Sequence, residues 1–494
     1  MKYIIRTAAA MLLCLSILIS AMPVQATETG MAEDISSKTL ITESDGIQTE
    51  LLFDGSESRN AKAEEQSFLT LEDDRGFGSL YLIFDLEYGA YTLTNNDTGE
   101  VLTLGENEFL HEFVPLEGNP KSITLAFDNG PVKLKEIYAY TEGEVPETVQ
   151  KWEAPKDGET DLVLFSTHGD DEHLFFAGIL PYYAVERGYQ VQVVYLTNHR
   201  NLQTPRCYEM LNGLWAVGVR TYPVFGEFKD YFSTSLNQAY GNFKYWGVTQ
   251  EDLLSFVVEQ VRRFKPKVAV CHDPINGEYG HGAHMLYADL LMKTLEISND
   301  PQQFPESAEK YGTWDVPKTY LHCYPENEII MDWDQPLESF GGMTAYEVST
   351  KLGFTCHESQ YRDFAWYIAG MKTAAQIRKF GPRDFGLYRS TVGEDVQKND
   401  FFENLTTYAQ DAQIRAEEEA RLEALRQEEE RKAQEAARIA AEEEAARLAE
   451  EARIAQELAR QEQVRKTTVA VTATLGVAFL AVLAISAGKK RQKK

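Results

Sequence analysis

Short runs of alternating apolar and polar residues fill the chain between residues 46 and 148. Ser79–Phe84 and Ser122–Phe127 are examples, and turn-forming residues such as Asn-Asn-Asp at 95–97 separate the runs. Strands of this length and spacing are typical of two antiparallel sheets packed face to face. The pattern therefore predicts an all-β sandwich over residues 46–148, which serves either to bind a ligand or as a spacer.

The pattern changes after a linker predicted at residues 152–158. Apolar runs at 161–167, 190–197 and 267–272 are short enough for buried strands. Amphipathic stretches alternate with them and predict helices at 175–187, 205–217 and 249–264. This alternation predicts an α/β domain over residues 158–408, with a parallel sheet, helices on both faces, and ligands at the carboxyl ends of the strands.

Residues 410–466 consist almost entirely of Ala, Glu, Arg, Gln and Leu, without Gly or Pro. These residues are strong helix formers, and acids precede bases by four positions, as in Glu417 with Arg421 and Glu443 with Arg447. The large apolar residues do not keep an unbroken heptad. We therefore expect a charged helical stalk that is single, with a weakly self-associating coiled coil as the alternative.

Both ends of the chain carry an uncharged run. Residues 8–21 follow Lys2 and Arg6 and precede Val-Gln-Ala at 24–26, the three-part layout of a secretory signal peptide, so residues 1–26 are expected to be removed.

The 22 residues 467–488 form the second uncharged run, which is long enough to cross a bilayer as a transmembrane helix. The tail at 489–494 is basic, and the positive-inside rule places it in the cytoplasm. A buried core helix is the alternative, but a polar stalk and a basic tail leave it no core to enter. We expect an exported protein, anchored in the cell membrane by this helix, with the α/β domain outside.

The net charge of −29 excludes one class of partner. Nucleic acid binding needs clustered Lys and Arg, and the body of this chain is acidic. Of the cysteines, Cys14 would leave with the signal peptide; the other four are Cys207, Cys271, Cys323 and Cys356. Their spread does not define a disulfide framework, so we favour small buried side chains over disulfide pairs.

Two clusters of metal-ligating residues follow predicted strands. His168-Gly-Asp170-Asp171-Glu comes after the first strand, and His281-Gly-Ala-His284 comes after the strand at 267–272. Catalytic zinc typically has three protein ligands of this kind and an open position for water, while an unligated carboxylate can accept the proton of that water. The pattern predicts a metal hydrolase, with one of the adjacent aspartates as a ligand and the other as a base.

These residues resemble the PIG-L (LmbE-like) N-deacetylase family, whose hallmark is His-Pro-Asp-Asp-Glu with a later His-x-x-His. The resemblance also includes Ala177-Gly178, Leu196-Thr197-Asn198, Arg206, Glu209 and Phe228-Lys229-Asp230.

The resemblance implies a Rossmann-like fold, a Zn²⁺ cofactor and an N-acetylglucosamine-type glycan substrate. By position, it makes His168, Asp171 and His284 the zinc ligands, Asp170 the general base and His281 the support of the oxyanion; Arg206 and Asp230 would contact the sugar. Residues 46–148 resemble, in architecture alone, a jelly-roll carbohydrate-binding or discoidin-type module.

Several residues stand outside this pattern. Gly169 replaces the usual proline, which loosens the turn. His173 is extra and is interpreted as a solvated or second-shell group rather than a ligand, and Glu172 as a second-shell acid. His272 is either a core histidine or a group that orients a ligand, together with Asp273.

Two other functions stay open. One is a catalytically silent surface protein that binds glycans or mediates adhesion, although the intact set of motif residues speaks against it. The other is a hydrolase of the same fold that acts on a different amide of a sugar conjugate.

Overall fold

The N-terminal region folds into two antiparallel sheets around one apolar core. The structure, a computed structural model, describes residues 30–44, 46–85, 88–199 and 204–490. The predicted signal peptide at 1–26 lies outside the described residues. The strands are β1 (Leu40–Glu43), β2 (Ala61–Ala63), β3 (Ser67–Glu72), β4 (Ser79–Phe84), β5 (Tyr91–Asn95), β6 (Val101–Leu104), β7 (His111–Pro115), β8 (Ser122–Phe127) and β9 (Val132–Tyr140).

One sheet has the order β1-β3-β8-β5-β6 and the other β2-β9-β4-β7. Leu69 and Leu125 of the first sheet share a buried cluster with Leu80 and Ile137 of the second. Alternate residues of β3 are buried, as the period-two pattern predicts.

The rest of the first compact unit, which ends at Tyr408, is a mixed α/β structure. Its strands are β10 (Leu162–Ser166), β11 (Val191–Thr197), β12 (Val224–Phe228), β13 (Val268–Cys271), β14 (Lys318–His322), β15 (Glu328–Ile330) and β16 (Asp384–Ser390). They form one sheet of order β12-β11-β10-β13-β14-β16-β15. The pairs from β12 to β14 are parallel, and β16 and β15 extend the sheet antiparallel.

Helices cover both faces of this sheet. Its helices are α1 (Thr204–Ala216), α2 (Leu236–Tyr245), α3 (Gln250–Phe264), α4 (Gly277–Gly280), α5 (Gly282–Ile297), α6 (Pro305–Tyr311), α7 (Ala345–Val348) and α8 (Glu358–Ile368). Leu164 of β10 joins one core cluster and the neighbouring Phe165 joins another on the opposite face. A capping box of Thr249 and Asp252 starts α3 where the sequence predicts it.

The predicted helix at 175–187 is wrong in its first half. The chain forms a 3₁₀ turn over Asp171–His173 and winds as a π-helix only over Leu180–Glu186. Gly178 interrupts the helix with φ +107°, and its Cα lies against the ring of Trp333. A positive φ of this kind ends right-handed helical geometry, so the regular winding begins later than the apolar pattern suggests.

The first residue of the segment predicted as a linker is buried, whereas residues 153–158 lie at or near the surface. Trp152 is buried and contacts the rings of Trp215 and Tyr222. The Tyr208 hydroxyl donates to the carbonyl oxygen of Phe84 at 2.6 Å, which ties α1 to the N-terminal sheets. The β2-β9-β4-β7 sheet and the α/β sheet therefore share a core cluster within the first unit.

The strand order has a switch point at β10 and β13, the place where ligands bind in open α/β sheets. From β10 the chain moves outward to β11 and β12, and it then crosses back to β13 on the other side of β10. The connections after β10 and β13 therefore diverge, which leaves space at the carboxyl ends of these two strands. Both predicted motif clusters follow these strands.

The second unit is a single long helix, α9 (Tyr408–Lys490), which begins at the last residue of the first unit. It runs through both the predicted stalk and the uncharged segment, and part of it is long and apolar enough to cross a membrane. Ion pairs one turn apart, such as Arg431 with Glu428 and Arg438 with Glu435, line its exposed surface. The expected mixed α/β fold with a β-rich start and a long C-terminal helix is confirmed.

The four described cysteines are free: Cys207 and Cys271 are buried, and Cys323 and Cys356 are partly exposed. The preference for unpaired side chains holds, but only two of them are core residues.

Gly178→Ala is expected to lower the free energy of unfolding by about 1–3 kcal/mol. The added methyl group would lie 2.5 Å from the Trp333 ring at an unfavourable φ. Urea unfolding of the full-length protein, followed by tryptophan fluorescence, measures the change. Gly188→Ala is the control, because Gly188 also has a positive φ, +64°, but open space around it. Equal losses in both variants would contradict the packing explanation.

Candidate metal centre

The turn after β10 and the start of α5 bring both motif clusters together. His168, Asp170 and Asp171 follow β10, while His281 and His284 lie where α4 passes into α5. Each of these residues is at least 95% buried. The carboxyl ends of adjacent parallel strands thus bring together two motifs that are more than 100 residues apart in the chain.

Three ligand-type atoms form a nearly equilateral triangle. His168 Nδ1 lies 3.1 Å from Asp171 Oδ2 and 3.2 Å from His284 Nε2, and His284 Nε2 lies 3.3 Å from Asp171 Oδ2. Nitrogen and oxygen atoms bound tetrahedrally to zinc at about 2.0–2.2 Å are about 3.3–3.5 Å apart. The three side chains therefore fit a tetrahedral metal ion with a fourth position left for another ligand.

Glu278 holds the imidazoles around this triangle. Its carboxylate is fully buried and accepts from His284 Nδ1 at 2.6 Å, His322 Nδ1 at 2.8 Å and His272 Nδ1 at 3.2 Å. It also accepts the backbone N–H of Asp273 at 3.0 Å. Because His284 donates through Nδ1, its Nε2 lone pair is directed toward the triangle.

His272 lies beside the triangle, with its Nε2 3.5 Å from Asp171 Oδ2. Its Nε2 accepts the backbone N–H of Thr167 at 3.0 Å, and its ring stacks on His284 with centroids 4.0 Å apart. Of the two expected roles, the structure favours that of an orienting group. Asp273 holds its own loop, accepting the backbone N–H groups of Ile275 and Asn276.

The carboxylates concentrate positive charge at the triangle. Burial lowers the pKa of His168, but Asp230 and Asp171 outweigh it and raise that pKa to about 10. Burial also lowers the pKa of His284, but Asp171 and Glu278 outweigh this effect and raise that pKa to about 9. The pKa of Asp171 falls well below its usual range despite burial, because His284 and His168 face it. Such a site stabilises either protons or a metal cation.

Asp170 lies beside the triangle and is held from two sides. Its Oδ1 is 3.2 Å from Arg206 Nη2, and its backbone N–H donates to Glu172 Oε2 at 3.0 Å. Oδ2 is buried and has no hydrogen-bond partner among the described residues. Burial raises the pKa of Asp170, with Arg206 acting against the rise. Arg206, expected to contact sugar, thus pairs with this carboxylate.

Asp230 and His281 lie on the other sides of His168. Asp230 Oδ1 is 3.4 Å from His168 Nε2, so this carboxylate faces the ring nitrogen opposite the triangle. The His281 ring lies 4.8 Å from that of His168 and stacks on Tyr279. Burial, together with the charges of His284 and His168, lowers the pKa of His281 to about 2, which keeps its ring neutral.

Gly169 has a packing reason. A Cβ at this position would lie 2.5 Å from the Sδ atom of Met210 on α1. Proline would therefore collide with Met210, and the close approach of α1 takes over the support that a proline ring would give the turn.

Several functional side chains escaped the sequence reasoning. His322 ends β14, the same kind of position as His168 after β10, and Glu278 lies between β13 and the His-x-x-His motif. Their positions at or after strand ends were the signal in the sequence that could have identified both residues. His173 does not join the triangle; of its two expected roles, that of a solvated group is excluded, because the residue is fully buried beside His357.

The comparisons with known proteins concern the same part of the α/β domain as the candidate metal centre. The PIG-L family model, described as GlcNAc-PI de-N-acetylase, matches residues 163–295. This range contains both motif clusters, and the chain therefore carries a PIG-L domain there.

One curated relative is the 1D-myo-inositol 2-acetamido-2-deoxy-alpha-D-glucopyranoside deacetylase of Streptomyces griseus. It is 25% identical over 183 residues, which cover 33% of this chain and 54% of the relative. The match thus spans about half the length of that protein.

Two solved structures are similar at low identity. N,N'-diacetylchitobiose deacetylase from Pyrococcus horikoshii is 15% identical and covers 46% of this chain and 82% of its own, with a TM-score of 0.31. A deacetylase of the teicoplanin biosynthesis pathway is 12% identical and covers 47% of this chain and 100% of its own, with a TM-score of 0.30.

Glu278→Gln is expected to weaken metal binding at the triangle by about 10–100-fold, because the amide no longer holds the His284 imidazole with a full negative charge. Competition of the full-length protein with a chromophoric chelator for Zn²⁺ measures the affinity. Glu136→Gln, at an equally buried glutamate of β9, is the control and should leave the affinity unchanged. An unchanged affinity in Glu278→Gln would remove Glu278 from the metal centre.

Proposed function

We propose that this protein is a zinc-dependent N-deacetylase that hydrolyses the acetamido group of an N-acetylglucosamine-type sugar. The triangle of His168 Nδ1, Asp171 Oδ2 and His284 Nε2 carries the proposal, since its edges of 3.1–3.3 Å match a tetrahedral zinc site. The PIG-L match over residues 163–295 supports the same reaction class.

In the proposed mechanism, His168, Asp171 and His284 would hold a zinc ion, which would supply a Lewis acid for the amide carbonyl and for the attacking water. Asp170 takes the proton of the attacking water through Oδ2, which has no other partner among the described residues. Arg206 fixes the Asp170 carboxylate through Oδ1.

His281 supports the oxyanion that develops on the carbonyl oxygen. Its ring is neutral and lies next to His168, and its Nδ1 has no partner within the described chain. A neutral imidazole still has one N–H, which can donate a hydrogen bond to the developing negative charge. Asp230 faces His168 and orients that ligand, in addition to any contact with sugar.

The substrate is proposed to be a glycan with an exposed N-acetylated sugar. Phe232 is 72% exposed and its ring centroid lies 5.8 Å from that of His281, and Tyr279 stacks on the same His281 ring. Such an aromatic edge offers an apolar surface to one face of a sugar ring. The relatives named as deacetylases act on glucosamine-based compounds, which agrees with this class of substrate.

The finer features of the architecture belong to the same proposal. Residues 158–408 are taken as a Rossmann-like catalytic domain, 46–148 as a β-sandwich that binds carbohydrate, and 410–466 as a stalk. Residues 1–26 direct export, 467–488 span the membrane and 489–494 remain in the cytoplasm, so that catalysis takes place outside the cell. The uncharged stretch of α9 supports the anchor.

Asp170→Asn is expected to lower the rate of acetate release at least about 100-fold while the Zn²⁺ content stays the same, because the amide cannot accept the proton of water. The measurement compares full-length wild type and variant on N-acetylglucosamine, its inositol conjugate and chitobiose. Asp157→Asn is the matched control, because this exposed carboxylate pairs with Arg263 and precedes β10, whereas the motif cluster follows that strand.

Two results would contradict this assignment. Turnover by Asp170→Asn close to that of wild type would exclude Asp170 as the base. Zinc-loaded wild type that releases no acetate from any of these sugars would favour a silent glycan-binding protein or a hydrolase of another amide.

The full-length chain is expected to stay in the membrane fraction after an alkaline wash. Leu475→Arg with Leu483→Arg should release it, because each arginine near the middle of a spanning helix costs about 2.5–3.5 kcal/mol. Immunoblots of the two fractions measure the distribution. Leu425→Arg with Leu448→Arg, on the stalk, is the control and should remain membrane-bound. Retention of the first pair would contradict a span at 467–488.

A further inference from the structure

A second cluster of residue types that can bind a metal includes part of the turn after β10. Glu172, His173 and His357 have no exposed surface, and one ligand-type atom from each lies within 4.8 Å of the others. None of them belongs to the triangle or has a part in the proposed deacetylation. The cluster joins the turn after β10 to the residue that precedes α8.

Five buried polar atoms of this cluster lack partners. Both ring nitrogens of His173, both of His357 and Glu172 Oε1 are buried without a hydrogen bond among the described residues. The Tyr195 hydroxyl is a close neighbour of the Glu172 carboxyl, but no hydrogen bond of normal geometry joins them. Buried polar atoms are nearly always paired, so Glu172 Oε1 and one nitrogen of each imidazole point to a ligand that these three atoms share.

Three of the unpaired atoms, one from each residue, lie close together. His173 Nε2 lies 3.6 Å and His357 Nε2 lies 3.9 Å from Glu172 Oε1. These separations exceed the edge of a tetrahedral zinc site, about 3.3–3.5 Å, by a few tenths of an ångström, which small side-chain rotations remove. Two imidazoles and one carboxylate are also a common ligand set for zinc.

Two glycines keep this space open. A methyl group on Gly213, in α1, would lie 2.8 Å from Nε2 of both His173 and His357, and 3.1 Å from the Gly353 carbonyl oxygen. A methyl group on Gly353 would collide with the His173 ring. Glycine inside a helix is unfavourable compared with alanine, and the room it leaves between the two imidazoles is the physical reason for Gly213.

The charges of the cluster suit a cation. The cluster combines one carboxylate with two imidazoles. A bound cation would be offset by the charge of the Glu172 carboxylate. The neighbouring cation, Arg206, is already paired with Asp170.

We propose that Glu172, His173 and His357 bind a second divalent metal ion, such as zinc, that has a structural role. Glu172 binds through Oε1 and the imidazoles through Nε2, while the Gly353 carbonyl oxygen or a water completes the set. Because Glu172 Oε2 accepts the backbone N–H of Asp170, this ion holds the turn that carries the proposed base.

The metal content of full-length protein tests this site. The protein is stripped with a chelator, reloaded with Zn²⁺, freed of excess metal and measured by mass spectrometry. His357→Gln is expected to hold one zinc fewer per chain than wild type. His111→Gln, at an equally buried histidine of β7 whose Nδ1 is paired with the Tyr81 hydroxyl, should lose none. An unchanged zinc content in His357→Gln would overturn the proposal.

A second variant leaves the cluster intact, which keeps the test decisive if His357→Gln does not fold. His168→Gln combined with His284→Gln removes two ligands of the triangle, and one zinc per chain is expected to remain. Addition of His357→Gln should then remove it. A double variant without zinc, or a triple variant that keeps it, would overturn the second site, and neither result bears on deacetylation by the wild type.

Discussion

The buried carboxylate of Glu278 is the interaction on which the candidate metal centre depends. Transfer of such a charge into the interior is unfavourable unless hydrogen bonds and opposite charges offset it. Three imidazoles and a backbone N–H do so here, and the pKa of Glu278 falls well below its usual range although burial acts against this. Through His284 and His272, one carboxylate thus fixes both the tautomer and the position of the groups around the triangle.

The sheet provides the place for this charge network. The chain reverses its direction of travel across the sheet between β12 and β13, so the turns after β10 and β13 open next to each other. Met210 of α1 packs directly against Gly169 in the turn after β10. This contact explains how the turn is held without the proline that the family resemblance leads one to expect. Support from a neighbouring helix replaces support from a rigid ring.

Much of the fold could be predicted from the sequence, because strands and helices follow local periodicity. The strand after residue 161, the capping box at Thr249 and the long C-terminal helix all lie close to their predicted positions. The failures have non-local causes. Gly178 breaks the helix predicted at 175–187 where it meets Trp333, and Trp152, in the supposed linker, is buried by Trp215 and Tyr222. Neither contact has a signature in the neighbouring residues.

The sequence by itself determined the ligand types of the proposed metal site, their order and the strands that present them, because each motif lies within a few residues of its own strand. Only the tertiary structure decided which other groups complete the site. His322 and His357 are distant in the chain from Glu278 and His173, and they meet them only through the packing of β14 and of the segment before α8. Local patterns encode secondary structure, whereas the balance of buried charge depends on which segments pack together.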